Sequence, residues 1–393
     1  MSTLERSRFR ALALKVETTP GTDAIAGTPA AADWVDAAFE ISPDFVLTAD
    51  PSFTGSLDPR PGVVGGGRFM IAGVRVPIRG SGTAGTEPEW FRVLRAAGMA
   101  VTNTAAAIGA PTAATAGSGT TATLAAPFAA SADLYRGMPI TLSGNPATAR
   151  TTLITDYTVG RVATLARTFS PILSTSTLAL IPVNNLLRLT DTEADFARLT
   201  AYAYQAGQLF IGTGCIALNP RIRLVAAEMA MLEFDLMGVL SATSPAETAL
   251  PAGAASVTRA TPPVWRDGEC QLGRALVRGA EATFALGSAG MLPPNPENAN
   301  GFDVGELMAR APRCEVSLMA NSTAAPGRVT ALRNGTDTVF SAILGTTAGN
   351  RIGLLFSPGR IEAIRNGSRD GADVETVSMA AAAAGSSLMI SAF

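Results

Sequence analysis

The chain has 393 residues, with 30 basic side chains against 32 acidic ones and no histidine. Lys15 is the only lysine, so arginine supplies the rest of the positive charge. That composition excludes Ser-His-Asp and Cys-His nucleophile pairs, imidazole metal ligands and an imidazole switch, and its near balance argues against a basic nucleic-acid-binding surface.

The length suits two or three domains, or one large β domain with an insertion. Cys215, Cys270 and Cys314 lie far apart and form no C-x-x-C pair. Their odd number argues against a disulfide framework, and buried thiols are expected. The first ten residues are polar, and the apolar stretch from Ala11 to Leu14 is too short for a signal-peptide core. No apolar run approaches the ~20 residues of a membrane-spanning helix. The expectation is a protein kept in, or assembled from, a cytosol, with no membrane insertion.

Residues 39–66 are rich in Pro, Gly and Ser and read as a long loop. Next, Ala72, Val74, Val76 and Ile78 alternate with Gly73, Arg75, Pro77 and Arg79, the period of a strand with one buried face. Gly80, Gly82 and Gly85 then spell G-x-G-x-x-G between that strand and a helix. A nucleotide site is disfavoured, because Glu87 and Glu89 sit where phosphates would lie and no acid follows until Asp133. The helix is expected over 87–97. Thr86 is a candidate cap, Pro88 suits the first turn, and Gly98 suits the end. Trp90 and Leu94 share the face that would dock on a sheet.

From about 105 to 185 the texture changes to Ala, Gly, Thr, Ser and Pro, with short strands around 139–142 and 162–165 and tyrosines at 135 and 157. This reads as a small inserted β domain. The acids Asp191, Glu193 and Asp195 read as a solvated loop rather than a Ca²⁺ site, since the EF-hand glycine and distal Glu are missing. Further on, Leu232, Phe234 and Leu236 alternate with Glu233 and Asp235, placing both acids on one strand face. As a glycosidase pair they lack an aromatic cluster for a sugar, so an outward or channel-facing stripe is expected. Residues 240–265 read as a second long loop. Strands are also expected over 314–320 and 388–393. Ala206-Gly207, Asn334-Gly335, Asn366-Gly367 and Asp370-Gly371 suit tight turns. The fold class is therefore mainly β and mostly antiparallel, with one flanking helix. No cofactor, metal or catalytic residue is expected.

Three stretches together resemble the tail tube (major tail) proteins of long-tailed bacteriophages. The first is Lys15, Glu17, Gly21, Thr22 and Asp23, in the order K-x-E-x-x-x-G-T-D. The second runs from Gly80 through Thr86 and Pro88 to Trp90, then Leu94 and Gly98. The third is the closing half, including Gly212, Gly214, Arg221, Gly238, Pro312, Gly345, Gly349, Asn350, Pro358 and Gly371. The resemblance covers 1–104 and 186–393 as one discontinuous tail tube domain, with 105–185 inserted.

The resemblance implies a β-sandwich or half-barrel with one flanking helix, built into six-membered rings whose sheets join in one barrel. Stacked rings would form the channel for DNA ejection, with Glu233 and Asp235 facing the lumen. The loop around Ser52, Asp58, Arg60 and Val64 would reach the next ring. The insertion would project from the exterior. Expected partners are other copies, the tape-measure, terminator and distal tail proteins, and DNA passing without specificity. The implied place is the virion, after assembly in the host bacterial cytoplasm. The alternatives are a tail decoration or receptor-binding protein and, from another class, a tail-associated glycosidase.

Overall fold

The computed structural model describes residues 9–58, 60–144, 150–255, 257, 259–266, 268–319, 325–369, 371–383 and 387–393. The strands of the body, in chain order, are β1 (Ala11–Val16), β2 (Asp44–Thr48), β3 (Val63–Pro77), β4 (Met99–Thr104), β5 (Asn184–Leu189), β6 (Leu199–Gln205) and β7 (Gln208–Val225). They continue with β8 (Met231–Leu240), β9 (Gly279–Ala285), β10 (Arg313–Met319), β11 (Asp337–Leu344), β12 (Ile352–Arg369), β13 (Ala372–Ala381) and β14 (Leu388–Ala392). The fold is mainly β, as the alternation predicted, and its large sheet curls into a half-barrel.

One layer of that sheet is antiparallel in the order β2-β3-β8-β7-β9-β10-β13-β12. The second runs β4-β5-β14-β12-β11 and ends on the short strand Cys270–Leu272. The long strand β12 belongs to both. Its first half pairs with β11 and β14, and its second half pairs with β13. Strand β7 is bent by register shifts near Gly214 (φ 58) and Asn219 (φ 48). Such bulges increase twist and let one strand serve two sets of neighbours. In β7, the first half pairs with β6 and the second with β9.

Between the layers lies the main core. Ile222, Leu224, Leu232, Phe234, Phe284 and Val316 come from the first layer, and Phe340, Leu354, Phe356 and Ile390 from the second. Phe284 and Phe340 meet across the gap with ring centroids 5.4 Å apart.

Helix α1 (Phe91–Arg95) contributes Phe91, Val93 and Leu94 to this core. It is shorter than the expected 87–97. Glu89 is drawn into ion pairs with Arg79 and Arg259, and the Trp90 indole N–H donates to the Arg79 carbonyl at 2.8 Å. Residues 86–90 thereby stay outside the helix, and no side chain caps it. Trp90 and Leu94 are both fully buried, as the docking face required.

The segment 105–185 builds its own seven-stranded sheet between Ile108 and Ile181. Its two connections leave the body side by side, since β4 and β5 pair from Met99 to Thr104. Tyr135 and Tyr157 pack edge to face at 4.9 Å inside it. The insert packs directly on the body. Val339, Ile343, Leu355 and Met389 on the back of the second layer share one core with Ile140, Leu153 and Ile154 of the insert. The second layer is therefore covered on both faces, which is why β14 is buried at every position.

A second helix, α2 (Ala325–Asn334), had no clear apolar period in the sequence. Asn334-Gly335 ends this helix rather than forming a hairpin, because Gly335 (φ 61) suits a helix C-terminus equally well. Asn366-Gly367 lies within β12. Ala206 (φ 53) and Gly207 (φ 73) do form the tight turn between β6 and β7. Of the Asp370-Gly371 pair, Asp370 lies outside the described residues.

Removing a fully buried aromatic leaves a cavity and an unpaired acceptor, so Trp90→Ala should cost about 3–5 kcal/mol in denaturant unfolding. A loss under about 1 kcal/mol would contradict the anchoring role given to this residue.

Candidate assembly surface

The first layer turns its polar positions outward. Glu233 lies between two arginines, 3.1 Å from Arg75 and 2.7 Å from Arg221. Beyond it, Arg223 meets Glu281 at 2.8 Å and Arg313 meets Glu362 at 3.7 Å. At the far edge Arg360 pairs with Asp337 at 2.8 Å. Asp235 has a separate task. The register slips between Phe234 and Leu236, and the Asp235 carboxylate accepts the Gly73 N–H there at 2.7 Å. Gly73 has φ 65, so this bulge suits glycine. Both expected acids thus sit on one outward face, but the face is a mosaic of ion pairs and not an acidic stripe.

The expected loop around 50–67 divides in two. Strands β2 and β3 zip together from Asp44 opposite Arg68 to Thr48 opposite Val63. Val64 is therefore in a strand, while Ser52, Asp58 and Arg60 belong to the tip. Hydrogen bonds from the Ser52 hydroxyl and N–H hold the Asp50 carboxyl below its usual range. Arg60 approaches Asp50 at 3.9 Å, and Asp58 forms no ion pair among the described residues. Phe53 and Leu57 are fully exposed, and Leu47, Val63 and Val64 are each more than half exposed. An uncovered apolar stripe of this kind marks an interaction surface.

Both edges of the first layer are open. Among the described residues no strand pairs with the outer side of β2, nor with residues 361–369 of β12 on the side away from β13. Beside β12 sits α2, latched by a two-pronged ion pair from Arg328 to the buried Glu375 of β13. A groove of about 760 Å³ lies between α2 and the hairpin 270–276.

The two glycine- and acid-rich motifs turn out to be internal joints. The Glu17 carboxylate accepts the Gly21 N–H (2.7 Å), the Gly214 N–H (2.8 Å) and the Thr200 hydroxyl (3.0 Å). Asp23 accepts the Tyr202 hydroxyl at 2.6 Å and the N–H groups of Ile25 and Ala26. This ties the N-terminal loop to β6 and β7. The 80–85 turn packs backbone to backbone on 349–350, with Gly82 N–H donating to the Gly349 carbonyl at 3.1 Å. A Cβ at Gly80 would collide with that same carbonyl oxygen, so its glycine serves close packing. Of the acids at 191–195, Asp191 pairs with Arg310 and Asp195 accepts the Thr190 hydroxyl.

The sequence missed the pairing of Arg75, Arg221 and Arg223 with outward acids. The signal was present, because these arginines alternate with buried residues in register with Glu233. All three thiols are buried and free, and burial pushes Cys270 up to about 12. No helix among the described residues is long and apolar enough to cross a membrane. No family model matches this chain, and no curated protein matches it.

Burial raises Glu17 above its ordinary 4.5 against the pull of its three donors. Ionising it therefore costs more in the folded chain than in the unfolded one. Its contribution to stability is full below pH 4.5 and falls as pH rises through the raised value. The stability of the wild type minus that of Glu17→Gln should decline across that window in denaturant titrations. A flat difference would contradict the assignment.

Proposed function

We propose that this chain is a structural subunit of a bacteriophage tail tube. It polymerises into six-membered rings that stack around a channel for the genome. The observation that carries this reading is the first layer of the sheet. It has a polar, ion-paired outer face and two open edges on opposite sides. An open edge invites pairing with another chain, and closure into a barrel removes it. The resemblance of 1–104 and 186–393 to tail tube proteins supports the same conclusion, as does the exposed apolar arm at 44–68.

In this reading the outer face lines the channel. Its acids and arginines neutralise one another in place, so it offers DNA no excess of positive charge. The body is assembled in the host bacterial cytoplasm and resides in the virion. Its partners are other copies and the tape-measure, terminator and distal tail proteins. The role asks for no catalytic group, cofactor or metal.

Negative-stain microscopy of the purified full chain tests this. Hollow stacked rings with six-fold symmetry are expected. Monomers or trimers at high concentration that bind host cells or cleave glycans would overturn the reading. Deleting residues 52–64 should leave a folded subunit that no longer polymerises, and normal tubes from that variant would remove the arm from the assembly.

A further inference from the structure

We propose that the 44–68 arm of one copy seats in the groove beside α2 of its neighbour within the same ring. The contact is then lateral, not between stacked rings. This rests on the tube reading above and specifies the partner of its arm.

Position is the first argument. The arm springs from β2 and β3, at one edge of the first layer. The groove lies beside β12, at the opposite edge. A patch on one side that fits a cavity on the other is a head-to-tail contact, and repeated copies either close into a ring or run on as a filament.

Chemistry is the second argument. The arm carries two fully exposed apolar side chains, Phe53 and Leu57. The groove has an apolar lining from Val277, Leu318, Met319, Ala331 and Ile361, with Leu276 exposed at its rim. Its volume of about 760 Å³ admits large side chains.

Charge is the third. At the arm tip Asp50 is met by Arg60, which leaves Asp58 as the acid with no ion-pair partner among the described residues. In the groove lining Asp337 is paired with Arg360 and Arg328 with Glu375, while Arg274 donates from Nε to the Leu165 carbonyl and the exposed Arg278 forms no ion pair among the described residues. Opposite charges at the rim of an interface set partner and register more than affinity.

Charge-swapped full-length chains test the pairing. Asp58→Arg and Arg278→Asp should each lower the ring population at least tenfold at fixed protein concentration, and the double variant should restore it. Unimpaired single variants, or a double variant that fails to recover, would overturn the pairing. Cross-linking gives an independent readout, because the native thiols are buried. The Leu57→Cys, Leu276→Cys double variant should form disulfides between copies in assembled tubes. The ladder should stop at the number of subunits in one ring. A ladder running past that number would place the arm between rings and overturn the lateral contact. Tubes without cross-links would overturn the groove assignment and leave the tube reading standing. A wild type that forms no rings would overturn both.

Discussion

On their outer sides, the backbone N–H and C=O groups along 44–48 and 361–369 meet no further strand among the described residues, and the rest of the molecule is arranged around that fact. Every buried backbone polar group needs a partner, and an open edge satisfies its own only from water or from another chain. Elsewhere the fold covers its own apolar faces in three ways. The insert covers the back of the second layer, α1 plugs the core with Phe91 and Leu94, and α2 is latched beside β12. Among the described residues, a polar face, two strand edges and an apolar arm stay uncovered together. That combination suits a protein whose final environment is another copy of itself.

Arginine holds the joints. Arg79 and Arg259 share the buried Glu89, Arg328 grips the buried Glu375, and Arg167 of the insert reaches Glu269 of the body. The guanidinium fork can bond a carboxylate in two places and keeps its charge when buried, which lysine does less well. This gives the near-absence of lysine a structural sense. Apart from Arg79–Glu89, these pairs join segments distant in sequence, so they fix how loops sit on the sheet more than they add net stability.

Much of the first layer was legible, because a face against the core and a face against solvent produce clean alternation. Residues 74–78, 232–236 and 314–318 read correctly for that reason, whereas Ala72, expected on the buried face, is exposed because the bulge at Gly73 breaks the alternation. The second layer was harder. With the body core on one side and the insert on the other, β14 loses its alternation and reads only as a short apolar run. Helix α2 was illegible, since Arg328 reaching Glu375 latches it and its apolar contact is confined to residues such as Ala331 and Leu332, too few for a clear period. The acids of the candidate surface were found, but their neutralisation was not. Glu233 meets Arg75 and Arg221 only once three strands are set in register. The 39–66 loop hid a hairpin because glycines 65–67 carry no side-chain period.

The central claim is that the open edges of the first layer join copy to copy. Amide hydrogen exchange, compared between dissociated and assembled protein, tests it most directly. The account predicts strong new protection along 44–48 and 361–369 on assembly, with little change in the already paired β7 and β9. Edges that exchange equally fast in both states would contradict it.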